Sequence, residues 1–332
     1  MLKNSSLQEL RERKNLLAFS AGGDSTALFF LLLKNNIAFD IAIVDYNLRL
    51  KSKDEVAYAK ALAKKYHLTC HHLSVEKIEK NMEANARALR YDFFEELIEK
   101  HNYKNLLTAH HLGDRFEWLL MQFCKGAGCL ELRGMQELQT RENYTLIRPL
   151  LHLDKSELLE YLHRENIEYF EDESNHDESI KRNEFRHNYT TPLIKKHLSG
   201  IKRSFEYIDE DAKELHREIK VEKIKEFAYF SSQGSRSDIY AIDKYIKSLG
   251  SIITAHEKEL LKSQKSTILS RKYLVSFERN FIFIAPYQKR TIVLEKEFKE
   301  RCRVLKIEPK LRSYLAKEQE IFQKVEKLLS SV

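Results

Sequence analysis

Glycine and proline are scarce, nine and four in 332 residues, which excludes collagen-like, linker-rich and low-complexity chains. With 42% apolar residues there is enough to bury for a globular, helix-rich protein rather than a disordered one. Cysteine is sparse as well. Cys70, Cys124, Cys129 and Cys302 form no CxxC and no zinc spacing, so reduced thiols are expected, not a disulfide frame or a structural metal. The pairs His71-His72 and His110-His111 lack cysteine or carboxylate partners at ligand spacing. No apolar run approaches the roughly 20 residues of a membrane span. The opening MLKNSSLQELRERK is amphipathic and charged and lacks the apolar centre of a signal peptide. A soluble, cytoplasmic protein with no membrane partner is expected.

What is present is charge, placed unevenly. The net charge is +7, and residues 181–203 hold Lys181, Arg182, Arg186, Lys195, Lys196, Lys202 and Arg203 against the single acid Glu184. Such a segment suits a polyanion partner or, more plainly, a solvated helix face.

The length favours two domains. In the first half, strand-like runs at 16–19, 40–45, 68–75 and 105–109 alternate with helical patterns near 26–34, 53–66, 84–101 and 114–124. That alternation predicts βαβ units and a doubly wound parallel sheet in an α/β domain over 1–200. Ligands of such sheets bind beyond the carboxyl ends of the strands, where 20–25, 45–49 and 110–117 fall. After residue 150 helical stretches dominate, at 154–164 and 182–227, and 201–227 reads as a helical linker because it has no glycine or proline. A smaller mixed α+β domain is expected over 228–332, with a hairpin in 273–287 turning at Arg279-Asn280 and a charged amphipathic helix over 309–330.

The strand-to-helix junction SAGGDST, Ser20 to Thr26, concentrates chemistry. Glycines let backbone approach an anion, successive N–H groups at a helix N-terminus cradle phosphate, and Ser20, Ser25 and Thr26 add hydroxyls. It is neither GxxxxGK[ST] nor GxGxxG. An ordinary capped turn is the bland alternative. Asp24 inside such a loop suits a magnesium ion bridging phosphates better than a bare phosphate. Further on, His110, Asp114 and Glu117 fall at i, i+4 and i+7 on one helix face. Two carboxylates there are a receptor for an ammonium group, or a capping pair at the helix N-terminus. Arg87 and Arg90, at i and i+3, can face one ligand, although surface ion pairs are common.

SAGGDS (20–25) resembles the SGGxDS loop of the N-type ATP pyrophosphatases, with Ala21 at a glycine position. VDYNLR (44–49) resembles VDHxLR, and ARALRY (86–91) an arginine-bearing helix motif. AHHLGDRFEWLLMQFCKGAGCLELRGM (109–135) resembles AHHxDDQxETxLxxxxRGxGxxGLxGM. RPLL (148–151) and EDESNHDESIKRNEFR (171–186) complete a set that is similar, in order, to the tRNA(Ile)-lysidine synthetase family. The chain departs from the pattern at Tyr46 (usually His), Gly113 (first Asp of the pair), Arg115 (Gln), Trp118 (Thr) and Lys125 (Arg).

The resemblance implies an adenine nucleotide alpha hydrolase-like PP-loop fold. It implies ATP-dependent ligation of free L-lysine to C2 of the wobble cytidine, position 34, in the CAU anticodon of isoleucine tRNA. The product, lysidine, shifts codon reading from AUG to AUA through an adenylated cytidine. ATP and Mg2+ are then the cofactors. Ser20, Ala21, Gly22, Gly23, Asp24, Ser25 and Thr26 bind the nucleotide, with Asp24 facing magnesium. Asp45 and His110 complete the activation site, Asp114 and Glu117 hold lysine, and Arg49, Arg87, Arg90, Arg182 and Arg186 contact tRNA or nucleotide phosphate. Asp172, Ser174, Asn175 and Asp177 would form a structured loop near the target base, and the short C-terminal domain would grip tRNA. A tRNA 2-thiolation enzyme of the same superfamily and a non-catalytic tRNA-binding relative are the rival readings. A homodimer stays open.

Overall fold

Successive residues of the central strands bury into two different cores. In β1 (Asn15–Ala18) Leu17 joins one core and Leu16 the other; in β2 (Phe39–Asp45) Ile41 and Ile43 oppose Ala42; in β4 (Asn105–Leu107) Leu107 opposes Leu106. A period of two with both faces apolar is the signature of a sheet covered by helices on both sides. The first core is closed by α1 (Asn4–Arg11), α2 (Gly23–Lys34), α3 (Ser52–Lys65) and α7 (Lys155–Arg164), through side chains such as Leu10, Leu28, Ala59 and Leu158. The second is closed by α4 (Met82–His101) through Phe94, Leu97 and Ile98. The computed structural model describes residues 1–47, 52–75, 82–171, 181–215, 219–289 and 292–330. Arg49 and the loop residues Asp172, Ser174, Asn175 and Asp177 lie outside them.

With β3 (Cys70–Ser74), β5 (Leu138–Thr140) and β6 (Thr145–Ile147), the strand order is β3-β2-β1-β4-β6-β5. All pair in parallel except β5, which runs antiparallel at the edge. The chain winds outward from β1 through α2 and α3 on one face, then returns to the other side of β1 through α4 on the opposite face. That reversal opens a crevice beyond the carboxyl ends of β1 and β4. Asp24, in the first turn of α2, and His111, just after β4, approach one another there at 3.8 Å. The first unit, Met1–Ala212, also contains α5 (Leu112–Phe123), α6 (Cys129–Arg133), α8 (Lys181–Phe185), a π-helical turn (Arg186–Thr190) and all but the last turn of α9 (Thr191–Leu215). α5 packs against α6, α8 and the π-helical turn.

The second unit, Lys213–Val332, has its own sheet and cores. Strands β7 (Glu222–Ile224), β8 (Phe227–Ser231), β9 (Ser266–Leu269), β10 (Tyr273–Glu278) and β11 (Phe281–Pro286) pair antiparallel in the order β7-β8-β11-β10-β9. Helices α10 (Ser235–Ser248) and α11 (Ala255–Ser263) cover one face; α12 (Lys296–Val304), α13 (Pro309–Leu315) and α14 (Gln319–Ser330) cover the other. The hairpin turns at Arg279-Asn280, with Arg279 at φ 51°.

Two boundaries differ from the sequence expectation. The span 201–227 is helix only to Leu215, and β7 then begins the second sheet. Its turn, Lys225-Glu226 with Lys225 at φ 54°, is built without the glycine or asparagine that marks such turns. The helix expected over 309–330 breaks between Leu315 and Gln319. Glu318 falls where the apolar stripe would continue, and its carboxylate accepts from Lys225 Nζ at 2.7 Å instead of entering the core. No helix among the described residues is long and apolar enough to cross a membrane.

Candidate active site

The junction after β1 is tied shut by its own hydroxyls. Ser25 Oγ accepts from the Ser20 backbone N–H (3.2 Å) and donates to Gly22 O (3.1 Å), while Ser20 Oγ lies 3.1 Å from it. Thr26 Oγ1 donates to Ala21 O at 3.2 Å, and Phe170 N–H donates to the same carbonyl at 3.0 Å. Ala21 is buried at φ 59°, in the left-handed region where a glycine is unstrained. A Cβ on Gly23 would come within 3.3 Å of Leu159 and Tyr169, so this glycine is set by packing. Gly22 caps α2 with no side-chain acceptor, leaving the first N–H groups of a twelve-residue helix for an anion. Asp24 Oδ1, in that first turn, is buried and accepts no hydrogen bond. An anion cradle with an orphaned carboxylate oxygen at its rim suits a hard cation carried in on phosphates, which needs few protein ligands.

Across the crevice, His111 caps α5. Its Nδ1 accepts from Gly113 N–H at 3.0 Å, and Asp114 Oδ2 accepts from the His111 backbone N–H at 3.0 Å. A Cβ on Gly113 would stand 2.7 Å from the His111 ring, so the glycine at the family's first aspartate position is what admits this cap. Because Nδ1 accepts, the ring proton sits on Nε2. That atom faces Asp24 Oδ2 at 3.8 Å and Asp114 Oδ2 at 3.6 Å, linking the two loops electrostatically. Sequence reasoning selected His110 and missed His111; the histidine three residues before Asp114 is a capping-box spacing and was a readable signal.

Asp114 therefore does cap, and it does more. Its Oδ1 accepts from Arg182 Nη2 at 3.1 Å and Arg186 Nη2 at 3.0 Å. Glu117, 2% exposed, accepts from Arg182 Nε through one oxygen and from Arg186 Nε, at 2.9 Å, through the other. The structure thus brings together four of the residues singled out from sequence, but directs both guanidinium groups at the carboxylates rather than outward. Burial would raise the Asp114 pKa; His111, His110, Arg182 and Arg186 together hold it well below the usual carboxylate range. Arg115 anchors the same helix from its far side. It forks onto Asp209 at 2.8 and 2.9 Å, beside Arg133, with its guanidinium 4.3 Å from the Phe205 ring centre. The two arginines outweigh burial and lower the Asp209 pKa.

The remaining predicted residues lie on β2, on α4 and just after β4. Asp45 is buried at the end of β2 and accepts from Asn47 N–H at 2.8 Å; Tyr46 Oη donates to Ala86 O at 3.0 Å. Arg87 lies 4.8 Å from the Tyr91 ring centre. Arg90 is half-buried on α4, where its charge bears on Tyr46. His110 hydrogen-bonds Thr108 Oγ1 at 2.9 Å. Burial, with the charges of Arg148, Arg182 and Arg87, pushes its pKa down to about 4 despite Asp114, so it is neutral at pH 7.

Two expected outcomes follow from this geometry. Ala21→Gly relieves about 1–2 kcal/mol of left-handed strain, while losing about 0.8 kcal/mol of buried methyl and about 0.4–1 kcal/mol through a freer unfolded chain. Urea unfolding should place the variant within about 1 kcal/mol of the parent; a loss of several would contradict the strain. For His110, the folded pKa lies below the unfolded value of about 6.5, so the unfolded chain takes up the proton first as pH falls. Stability is therefore lost between about pH 6.5 and pH 4, by an amount on the order of 3 kcal/mol. His110→Gln should flatten that stretch of the stability–pH curve, and an unchanged slope would show that His110 is not buried neutral.

Residues 2–193 match the model of the PP-loop domain family. Over 310 residues the chain is 40% identical to the tRNA(Ile)-lysidine synthase of Helicobacter pylori, covering 93% of this chain and 91% of that protein. Against the enzyme of the same name from Wolinella succinogenes it is 43% identical over 309 residues, covering 92% and 94%. Among solved structures it is similar to the U34-tRNA thiolase NcsA of Methanococcus maripaludis, with a TM-score of 0.51 at 15% identity, over 65% of this chain and 80% of that one. That likeness is one of fold. By sequence, the chain belongs to the tRNA(Ile)-lysidine synthase family of PP-loop proteins.

Proposed function

We propose that this chain attaches the ε-amino group of free L-lysine to C2 of the wobble cytidine, position 34, in an isoleucine tRNA bearing CAU, at the cost of ATP cleaved to AMP and pyrophosphate. The supporting observation is the buried pair Asp114 and Glu117 standing across a crevice from an anion cradle, with His111 between them. The curated relatives matched over nine-tenths of their length carry the name of that activity. A thiolase reading is not favoured, because the relatives matched at 40% and 43% identity over nearly their whole length carry the lysidine synthase name.

In this reading the cytosine C2 oxygen bonds the α-phosphorus of ATP while the bond to the β-phosphate oxygen breaks and pyrophosphate leaves. The loop from Ser20 to Thr26 holds the pyrophosphate through backbone N–H groups. Asp24, with Asp45 at the end of β2 as a candidate second ligand, would hold Mg2+. When bound, Mg2+ offsets charge on the phosphates. The lysine Nε then bonds C2, the C2–O bond breaks, and AMP departs. That amine must first shed a proton with an ordinary pKa of about 10.4. Two bare carboxylates would bind the ammonium yet hold its proton in place. Arg182 and Arg186 bring the cluster to neutrality, so an amine there is recognised without being locked in its charged form. Neutral His110 is a hydrogen-bonding group on the same side. Arg87 and Arg90, and Arg49 beyond β2, are assigned to phosphate, and the second unit to the tRNA body.

Incubation of the protein with ATP, labelled L-lysine and the CAU isoleucine tRNA tests the reading. Lysine incorporation that requires ATP supports it; tRNA binding without product supports a non-catalytic relative. Asp114→Asn and Glu117→Gln, checked by thermal melts, should raise the KM for lysine tenfold or more while tRNA adenylation persists. Loss of adenylation at unchanged lysine KM in both variants would remove the pair from the lysine site.

A further inference from the structure

Position 118 departs from the family pattern, and its side chain is packed against the 131–134 segment. Trp118 follows Glu117 directly and lies one helical turn after Asp114 on α5, yet it is 43% exposed. Its inner edge is seated on backbone. A Cβ on Gly134 would come within 2.6 Å of Trp118 Cδ1 and 3.1 Å of Nε1, and Gly134 itself sits at φ +63°. The indole N–H points to Glu131 O at 3.4 Å. Glycine at 134 is thus doubly required, by its backbone conformation and by the ring laid against it. An indole held at one edge, with an outer face left to solvent, is pre-ordered for stacking and loses little entropy when covered.

The surroundings specify what covers it. Lys125 is exposed just beyond the same helix, and α8 with its π-helical turn, which packs against α5, opens the basic segment 181–203, where Arg182 and Arg186 turn inward onto the carboxylates while Lys181, Lys195, Lys196 and Arg203 are exposed. The Phe185 and Tyr189 rings pair there at 5.3 Å, with Tyr189 48% exposed. Exposed aromatic faces set among cations are the pattern of a single-stranded nucleic acid site, where bases stack and phosphates find charge. A protein partner would call for a contiguous apolar patch. A base reacting at its C2 carbonyl must leave its stack, and its neighbours need a surface to lie on.

Resting on the proposed function, we infer that the outer face of Trp118 is the stacking platform for one base of the tRNA anticodon loop, beside the Asp114–Glu117 pair. This makes Trp118 a binding and specificity residue for RNA, with no part in holding ATP or lysine.

Trp118 is the chain's single tryptophan, so its fluorescence reports on this face alone. Titration with the anticodon stem–loop of isoleucine tRNA should quench it. In a series of stem–loops each carrying one abasic loop nucleotide, quenching should vanish at one position and survive at the others. Trp118→Ala should raise the KM for tRNA about tenfold, leave the KM for ATP and for lysine unchanged, and be largely rescued by Trp118→Phe. Quenching indifferent to every abasic position, or Trp118→Ala binding tRNA as tightly as the parent, would overturn the inference. Lysine incorporation by the parent protein is measured alongside. If it occurs and the tryptophan is silent, the platform fails and the function stands; if quenching appears without incorporation, the platform stands and the function fails.

Discussion

The four charges Asp114, Glu117, Arg182 and Arg186 are the constraint around which the first unit's functional end is built. A buried carboxylate such as Glu117 is costly unless paired, and here each acid meets both guanidinium groups. Those contacts pin α5, the carrier of the acids, to α8 and the π-helical turn. The π turn itself is consistent with this demand, since inserting a residue into a helix re-aims the side chains that follow. On its other flank α5 is held by Arg115 and Asp209. The helix is thus clamped by charge on two sides, and the Asp114–Glu117 pair is a structural joint.

The sheet's topology supplies the second half of the site. Only at the reversal between β1 and β4 can a phosphate-type loop and a capped helix N-terminus face one another across a crevice. His111 exploits that proximity. It caps α5 with one ring nitrogen and aims the other between Asp24 and Asp114, so the geometry of the loop and of the carboxylate pair is shared through one ring. The strain at Ala21 belongs to the same economy: its carbonyl is held by Thr26 and by Phe170, and the backbone accepts a left-handed turn to keep both.

Much of this was legible in the sequence because the signals are local. Alternating strands and helices gave the α/β class, the glycine-bearing junction gave the loop, and the spacing of Asp114 and Glu117 gave their shared face. What stayed hidden was pairing over distance. Arg182 and Arg186 read as a solvated or RNA-facing stripe because nothing in a run of basic residues tells that acids 65 to 72 positions earlier will fold against it. The hairpin at Lys225-Glu226 was missed for the opposite reason, since its turn residues carry no local signature. Gly113 read only as a departure from the family's aspartate pair, and Gly134 carried no signal of its own; their necessity comes from the His111 and Trp118 rings that lean on them.

The arginine–carboxylate cluster acts as one energetically coupled unit and not as a set of independent surface pairs. A double-mutant cycle between Glu117 and Arg186, using Glu117→Gln, Arg186→Gln and the double variant in urea unfolding, tests it directly. The account predicts a coupling above about 1.5 kcal/mol, with the double variant more stable than the sum of the single losses implies. Single losses that add to within about 0.5 kcal/mol would contradict it.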